Sequence, residues 1–131
     1  MSTEEQKDIL PEIDRDFLDE KGCAYDAAKC GGETHVVIHD FDFPEAYLPR
    51  KADLLIILPA GYPNSHPDMF WTYPDVKRTN GTWPAASEHH AVYGNRNWQR
   101  WSRHYQGQWR AGIDNFRSYL SAVRHEIGKG L

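Results

Sequence analysis

The spacing of apolar residues predicts a short amphipathic helix near the start of the chain, over residues 10–20. Ile13 and Phe17 stand four positions apart, which places both on one helix face. Pro11 suits the first helical turn, acidic residues crowd that turn, and Gly22 is placed to end the helix.

A second amphipathic helix is predicted near the end of the chain. Its apolar residues recur at spacings of three and four positions, which is the period of one helix face. The helix is expected to run to about Glu126 and to be ended by Gly128. The face consists of Ile113, Phe116, Leu120, Val123 and Ile127.

Four apolar runs between these helices predict strands, over residues 23–30, 34–41, 52–58 and 69–73. Residues 52–58 are continuously apolar apart from one aspartate, which is typical of a strand buried on both faces. Gly31-Gly32 marks a turn after the first strand, and Pro74 stops the fourth.

Residues 75–108 show no clear period and are predicted to form a long loop. Asn80-Gly81 is a strong turn signal within it. A loop of this length inside a compact domain is usually functional. The pattern therefore predicts one α+β domain over residues 8–127, a disordered acidic segment over 1–7, and a tail over 128–131.

Composition agrees with a folded domain. The chain has 131 residues, of which 40% are hydrophobic and 13% aromatic, far more than a disordered chain would carry. No apolar run approaches the roughly 20 residues of a membrane helix, and the acidic start does not resemble a signal peptide. We therefore expect a cytoplasmic protein that does not engage a membrane.

Charge is divided between two parts of the chain. Residues 1–20 carry eight acids against two bases, and residues 77–124 carry eight bases against two acids. Either the acidic segment folds against the basic one, or the basic segment meets an acidic partner. Arginine and aromatic residues together also suit single-stranded nucleic acid, but the low pI of about 5.9 and the lack of a nucleic-acid motif argue against it.

Cysteine and histidine do not predict a metal or cofactor site. Cys23 and Cys30 are expected to be reduced thiols, because no CxxC pair or export signal accompanies them. His35 and His39 share a strand face but lack a third ligand. No cysteine follows Cys30.

Two motifs resemble a known family. Tyr62-Pro63 and Pro67 match the proline-rich turn of ubiquitin-conjugating (UBC) enzymes, with His66 in place of the first proline of a pair. The stretch 98–104, WQRWSRH, followed by Trp109 and the last helix, is similar to the prokaryotic UBC-like family E. The resemblance covers about residues 8–127 and implies a UBC-like fold, with a four-stranded antiparallel meander between an N-terminal and a C-terminal helix.

The resemblance also implies partners. Members of the family accompany a ubiquitin-like protein, a ubiquitin-activating-like enzyme and a JAB-type peptidase, and such pathways are often linked to antiviral defence. In the resembled fold the first helix docks the activating enzyme. Here that helix is acidic, so the polarity of docking is expected to be reversed.

The catalytic cysteine of the resembled family has no counterpart at its usual place. Counting forward from Pro67 leads to residues 84–87, and counting back from Trp109 leads to Trp101-Ser102. Neither window contains a cysteine, although a thioester needs a thiolate. The His-Pro-Asn tripeptide is absent too, and Asn80 is the nearest amide side chain.

Several explanations stay open. The protein is a non-catalytic binding module or scaffold; or Ser87 or Ser102 forms an oxyester with a histidine as base; or Cys23 or Cys30 is the nucleophile; or the reactive position carries a substitution. The candidate bases are His89, His90 and His104, each of which is also explained as a polar surface residue. The candidate binding residues are Tyr62, Pro63, Trp98, Arg100, Trp101 and Arg103, although the tryptophans are also explained as packing residues.

Overall fold

The computed structural model describes residues 9–105 and 107–129. They form an α+β fold. Its helices are α1 (Glu12–Glu20) and α2 (Phe116–Lys129). Its strands are β1 (Tyr25–Cys30), β2 (Glu33–Asp42), β3 (Tyr47–Leu48), β4 (Lys51–Leu58), β5 (Phe70–Tyr73), β6 (Lys77–Arg78), β7 (His89–Tyr93) and β8 (Arg96–Trp101). No helix of the described part is long and apolar enough to cross a membrane.

The main sheet has six strands in the order β1-β2-β4-β5-β8-β7, and every neighbouring pair is antiparallel. The short strands β3 and β6 pair separately. With β3 set aside, the order follows the chain from β1 to β5, because strands that are consecutive in sequence tend to be neighbours in a sheet. After β6 the order no longer follows the chain. β8, and not β7, pairs with β5, and β7 pairs with the other side of β8 at the edge of the sheet.

Both helices pack against one face of this sheet. The core there is formed by apolar residues of α1, α2 and alternate positions of the strands. Tyr47 ties β3 to the end of α2, since its hydroxyl donates a hydrogen bond to Ile127 O at 2.6 Å. On the opposite face lies a smaller apolar cluster of Leu55, Ile57, Trp71 and Trp98. Two apolar faces explain why β4 is buried along most of its length, as its sequence predicts.

The predicted loop over residues 75–108 is wrong, because it contains β6, β7 and β8. The sheet therefore extends beyond the four predicted strands. Gly94 and Asn95 link β7 to β8 with φ values of 57° and 65°, which is the two-residue turn that matches strand twist. The alternation in β8 is masked because Trp98 and Trp101 are buried on opposite faces of the sheet.

The buried face of α1 also differs from the prediction. Ile13 is 61% exposed, whereas Asp14, Phe17 and Leu18 are buried. A carboxylate takes the inward position because two hydrogen bonds satisfy it there. Gly22 follows the end of the helix with φ 69°, as predicted.

The ends of α2 are shifted from the prediction. Ile113 is 63% exposed and precedes the helix. The helix begins after Asn115 because Asn115 and Ser118 exchange side-chain to backbone hydrogen bonds of 3.4 and 3.3 Å, a reciprocal N-terminal cap. Gly128 does not end the helix, which continues to Lys129. The predicted disordered segment 1–7 and residues 130–131 lie outside the described residues.

Candidate functional site

A buried glutamine fixes the chain where it leaves β5. Gln99 in β8 is fully buried. Its Oε1 accepts hydrogen bonds from Thr72 Oγ1 at 2.8 Å and from Val76 N at 2.6 Å, and its Nε2 donates to Val76 O at 2.9 Å. Gln99 is not among the site residues predicted from the sequence, although its position between Trp98 and Trp101 is a signal for burial.

The two windows for the expected reactive position meet in space. The Ser102 N–H donates a hydrogen bond to Ala86 O at 2.8 Å. Beside it, Nε and Nη2 of Arg103 donate to Ala85 O at 2.9 and 2.7 Å. The end of β8 therefore lies against residues 84–87, and both counts along the sequence lead to one place in the fold.

Arg103 joins this place to α2. Its Nη1 donates a hydrogen bond to Glu126 O at 2.8 Å and lies 3.6 Å from Glu126 Oε1. The side chain is only 10% exposed and lies over the Trp101 ring. Arg103 was a candidate for binding, but its guanidinium is occupied in holding loop, strand and helix together.

The two candidate serines have different surroundings. Ser87 is fully buried, and its hydroxyl donates to Pro84 O at 2.6 Å within its own loop. Ser102 is half-buried, and its Oγ accepts a hydrogen bond from Arg100 Nε at 3.0 Å. Of the two hydroxyls, only that of Ser102 is within reach of a reagent from solvent.

His104 is oriented by a carboxylate. Its Nδ1 lies 2.7 Å from Asp68 Oδ2, and the Tyr105 N–H donates to Asp68 Oδ1 at 2.9 Å. Its side chain is 70% exposed. The hydrogen bond of Ser102 Oγ to Arg100 and that of His104 Nδ1 to Asp68 thus run to separate partners.

The other predicted catalytic residues are dispersed. His89 is exposed at the start of β7, opposite Arg100 in the register. His90 turns to the other face, with Nε2 2.8 Å from Asp75 Oδ1. Asn80 Oδ1 accepts hydrogen bonds from N and Oγ1 of Thr82 at 3.0 and 2.6 Å, which closes a turn.

The Tyr62-Pro63 turn connects the two helices. The Tyr62 hydroxyl donates to Asp14 Oδ2 at 2.7 Å, and Phe116 N at the start of α2 donates to Asp14 Oδ1 at 3.1 Å. Burial raises the pKa of Asp14, although both hydrogen bonds oppose the shift. Burial, and then the neighbouring Asp14, raise the pKa of Tyr62. Pro63 O in turn accepts a hydrogen bond from Trp109 Nε1 at 2.9 Å.

Trp98 and Trp101 pack rather than present their rings to a ligand. Trp101 is fully buried in the main core and stacks on Phe70 with centroids 5.2 Å apart. Trp98 is 4% exposed in the smaller cluster, and its Nε1 donates to Tyr93 O at 3.1 Å. The interpretation of these two residues as packing residues is confirmed.

The two cysteines are free and lie away from Ser102. Cys23 is half-buried against the main core, and Cys30 is exposed at the end of β1. Three strands of the sheet lie between β1 and β8. A thiol on β1 is thus placed across the sheet from the two windows.

No group of three histidine, cysteine, aspartate or glutamate side chains is placed to hold a metal ion within residues 9–105 and 107–129. His39 interacts instead with Asp26 and Asp53, at 2.7 and 3.4 Å. Burial lowers the pKa of His39, but these two carboxylates outweigh it and raise the pKa overall. His35 packs edge-on against Tyr93, and burial lowers its pKa.

Comparison with known protein families identifies the family of the chain. The model of the family described as prokaryotic E2 family E matches residues 10–130. The chain belongs to prokaryotic E2 family E. That membership confirms the resemblance carried by the Tyr-Pro turn and the tryptophan-rich segment. No curated protein and no solved structure matched the chain significantly. The two helices and the mainly antiparallel sheet of this prokaryotic E2 family E protein are compatible with an E2-like fold.

Proposed function

We propose that this prokaryotic E2 family E protein is a component of a bacterial ubiquitin-like modification pathway, in which it binds a ubiquitin-like protein and its activating enzyme. The family match over residues 10–130 carries the proposal. A cytoplasmic location, a JAB-type peptidase as a further component, and a role in antiviral defence belong to the same proposal.

Binding is favoured over acyl transfer by the groups at the junction of the two windows. That junction contains serines and no cysteine. A serine needs a base within hydrogen-bond reach to become a good nucleophile. The buried Ser87 hydroxyl donates a hydrogen bond to Pro84 O, and Ser102 Oγ accepts one from Arg100 Nε. An oxyester on Ser102 is the second candidate, since its hydroxyl is half-exposed.

The charged surface of α1 supports docking of a basic partner. Four acids of the helix are exposed: Glu12, Asp16, Asp19 and Glu20. Within the described residues, the contact between this helix and the basic part of the chain includes a pair of Glu20 and Arg117 at 3.9 Å, with both side chains largely exposed. An exposed pair of that kind is worth little, so the acids stay available for the activating enzyme.

One assay tests the proposal. The protein is incubated with its cognate activating enzyme, ubiquitin-like protein and ATP, and is analysed by size-exclusion chromatography and on a non-reducing gel. We expect a complex with the partners and no covalent adduct. Failure to bind either partner would overturn the proposal, and a thiol-labile adduct would overturn the binding mechanism in favour of a cysteine.

The same gel tests the second candidate. A thiol-resistant, hydroxide-labile adduct that is absent in Ser102→Ala would establish the oxyester. Ser87→Ala is the matched control, because that hydroxyl is buried and its loss is expected to leave any such adduct unchanged. Circular dichroism of both variants checks that they fold.

A further inference from the structure

An open trough of about 590 Å³ lies on the face of the sheet opposite the helices. Its floor is apolar, since Val37 of β2 and Leu55 of β4 stand opposite each other in register and both belong to the smaller apolar cluster or pack against it. The volume falls within the roughly 300–1,000 Å³ of small-molecule sites. The trough is therefore large enough to hold a ligand.

The trough exists because the sheet curls over this face. β2 and β7 are four strand positions apart, which in a flat sheet is about 19 Å. The rings of His35 on β2 and Tyr93 on β7 are nevertheless in contact, with centroids 5.3 Å apart. The β7–β8 hairpin thus forms one wall of the trough, with Val92 and Tyr93. β1 forms the other wall, with Ala28 and Cys30.

The charged side chains that line the trough are paired. Nε2 of His39 lies 2.7 Å from Asp26 Oδ2, and Arg96 Nη1 donates a hydrogen bond to Asp53 Oδ2 at 2.8 Å. His39 Nδ1 also lies 3.4 Å from Asp53 Oδ1, which joins the two pairs. A charged ligand would lose hydration here without meeting an unpaired opposite charge among the described residues of the lining. The lining therefore favours an uncharged ligand.

The groups beside the apolar floor suit an aromatic ligand. Tyr93 is half-buried in the hairpin wall, and its ring attracts another aromatic ring by stacked or edge-on contacts. Burial lowers the pKa of His35, so its ring is neutral at pH 7 and has one N–H donor and one acceptor. Within the described part of the chain, neither ring nitrogen of His35 forms a hydrogen bond.

We propose that this trough binds an uncharged aromatic small molecule, held against Tyr93 above the apolar floor and hydrogen-bonded to His35. Apolar burial supplies the affinity, because the floor and both walls are already formed without the ligand. The paired charges supply selectivity against ionised ligands. Neither feature depends on the proposed function. If a probe binds here but the ubiquitin-like protein and activating enzyme do not bind, the proposed function fails and the trough remains a ligand site.

Two fluorescent probes test the ligand class. N-phenyl-1-naphthylamine is uncharged, and 8-anilino-1-naphthalenesulfonate has the same rings with a sulfonate added. Titration of the full chain at neutral pH is expected to show saturable binding of the uncharged probe at one site, at least about tenfold tighter than binding of the sulfonate. Absence of saturable binding, or binding of the sulfonate that is equal or tighter, would overturn the proposal.

Alkylation of the two cysteines locates the uncharged probe. Cys30 is exposed in the wall of the trough, whereas Cys23 is half-buried against the main core. After iodoacetamide treatment, peptide mass spectrometry should show slower alkylation of Cys30 with probe and an unchanged rate at Cys23. An unchanged rate at Cys30 would refute the site. Protection of Cys30 by the ubiquitin-like protein but not by the probe would assign the trough to a protein partner and also overturn the proposal.

A matched pair of variants tests the wall on β1. Ala28 and Lys29 are exposed neighbours whose side chains point to opposite faces of the sheet, and Ala28 stands opposite His35. Ala28→Trp fills the trough and is expected to weaken binding of the uncharged probe at least about tenfold. Lys29→Trp adds the same ring to the other face and should leave binding unchanged. Equal effects of the two substitutions would contradict the location of the site.

Asp53→Asn tests the charge pairing. The substitution removes the carboxylate that Arg96 and His39 share, and so leaves Arg96 without its counter-charge. Binding of the sulfonate is expected to strengthen about fivefold, whereas binding of the uncharged probe should change by less than about twofold. An unchanged affinity for the sulfonate would contradict the selectivity assigned to the paired charges. Circular dichroism checks that each variant folds.

Discussion

Asp14 is buried in α1, where the apolar spacing of the helix predicts that the neighbouring Ile13 is buried instead. Its two partners, Tyr62 and Phe116, lie 48 and 102 positions away in sequence. A periodicity argument considers only neighbours on the same helix, so it places Ile13 inward and misses the buried carboxylate. For the same reason, the buried role of Gln99 depends on partners in β5 and in the loop after it.

Asp14 makes stability depend on pH in a defined direction. Its pKa is raised by burial, so between the ordinary and the raised pKa the folded state holds a proton that the unfolded chain has released. Its contribution to the free energy of unfolding is therefore present at low pH and declines as pH rises from the ordinary pKa through the raised one. Urea denaturation between pH 4 and 8 should show this slope in the wild type relative to Asp14→Asn.

The comparison cancels the titration of other groups, because both proteins share them. A difference between the two proteins that is constant with pH, or that grows in favour of the wild type as pH rises, would contradict the raised pKa of Asp14.

Gln99 should be costly to replace with an apolar residue. Gln99→Leu leaves the Val76 N–H and C=O without their partner inside the core. At about 1–3 kcal/mol for each unsatisfied group, we expect a loss of roughly 3 kcal/mol in urea denaturation. Asn97→Ala is the control, since Asn97 is exposed on the same strand. Equal effects of the two substitutions would contradict the assigned network.

Among the elements, the sequence predicts best the strands that show a clear apolar run. The strands β1, β2, β4 and β5 lie close to their predicted positions, because each is an apolar run bounded by glycine or proline. The hairpin of β7 and β8 is missed for two reasons. β7 is an exposed edge strand without a buried face. β8 buries Trp98 and Trp101 on opposite faces with the polar Gln99 between them, so it shows neither an alternation nor a continuous apolar run.

The hairpin depends on its turn. Gly94 has φ 57°, which strains any residue with a Cβ, although no other atom lies within 4 Å of the Cβ position. Gly94→Ala is therefore expected to destabilise the protein by about 1 kcal/mol through backbone strain alone. Calorimetry should show a lower melting temperature.

Gly128→Ala is the matched control for that substitution. Gly128 lies in α2, has open space around its Cβ position and no positive φ. Alanine favours a helix over glycine, so this change should raise the melting temperature slightly. Opposite signs for the two glycines are the expected result, and a destabilised Gly128→Ala would contradict the helix end described.

In the whole molecule, Arg103 connects parts that are distant in sequence. It binds Ala85 in the loop and Glu126 in α2 from the end of β8. The two windows counted from Pro67 and from Trp109 lie side by side at this junction, where Ser102 N bonds Ala86 O. The sequence does not predict which groups occupy it, since the burial of Ser87 and the pairing of His104 with Asp68 follow from tertiary packing.

Removal of Arg103 should loosen the junction as a unit. Arg103→Met leaves Ala85 O and Glu126 O without their donor, at an expected cost of about 2 kcal/mol. Hydrogen exchange should accelerate both in residues 84–87 and in the last turns of α2. Arg117→Gln replaces an exposed arginine that lies 3.9 Å from Glu20 and over the Phe17 ring, and should cost less, at most about 1 kcal/mol. Faster exchange in only one of the two segments would contradict a shared anchor.

The proposed binding of a ubiquitin-like protein and its activating enzyme without a thioester can be tested directly. The most direct measurement is the intact mass of the chain after incubation with its activating enzyme, ubiquitin-like protein and ATP, alongside the Cys23→Ala/Cys30→Ser variant. We expect both proteins to co-elute with these partners in size exclusion and to keep their own masses. A mass gain of one ubiquitin-like protein on the wild type, absent from the cysteine-free variant, would contradict it.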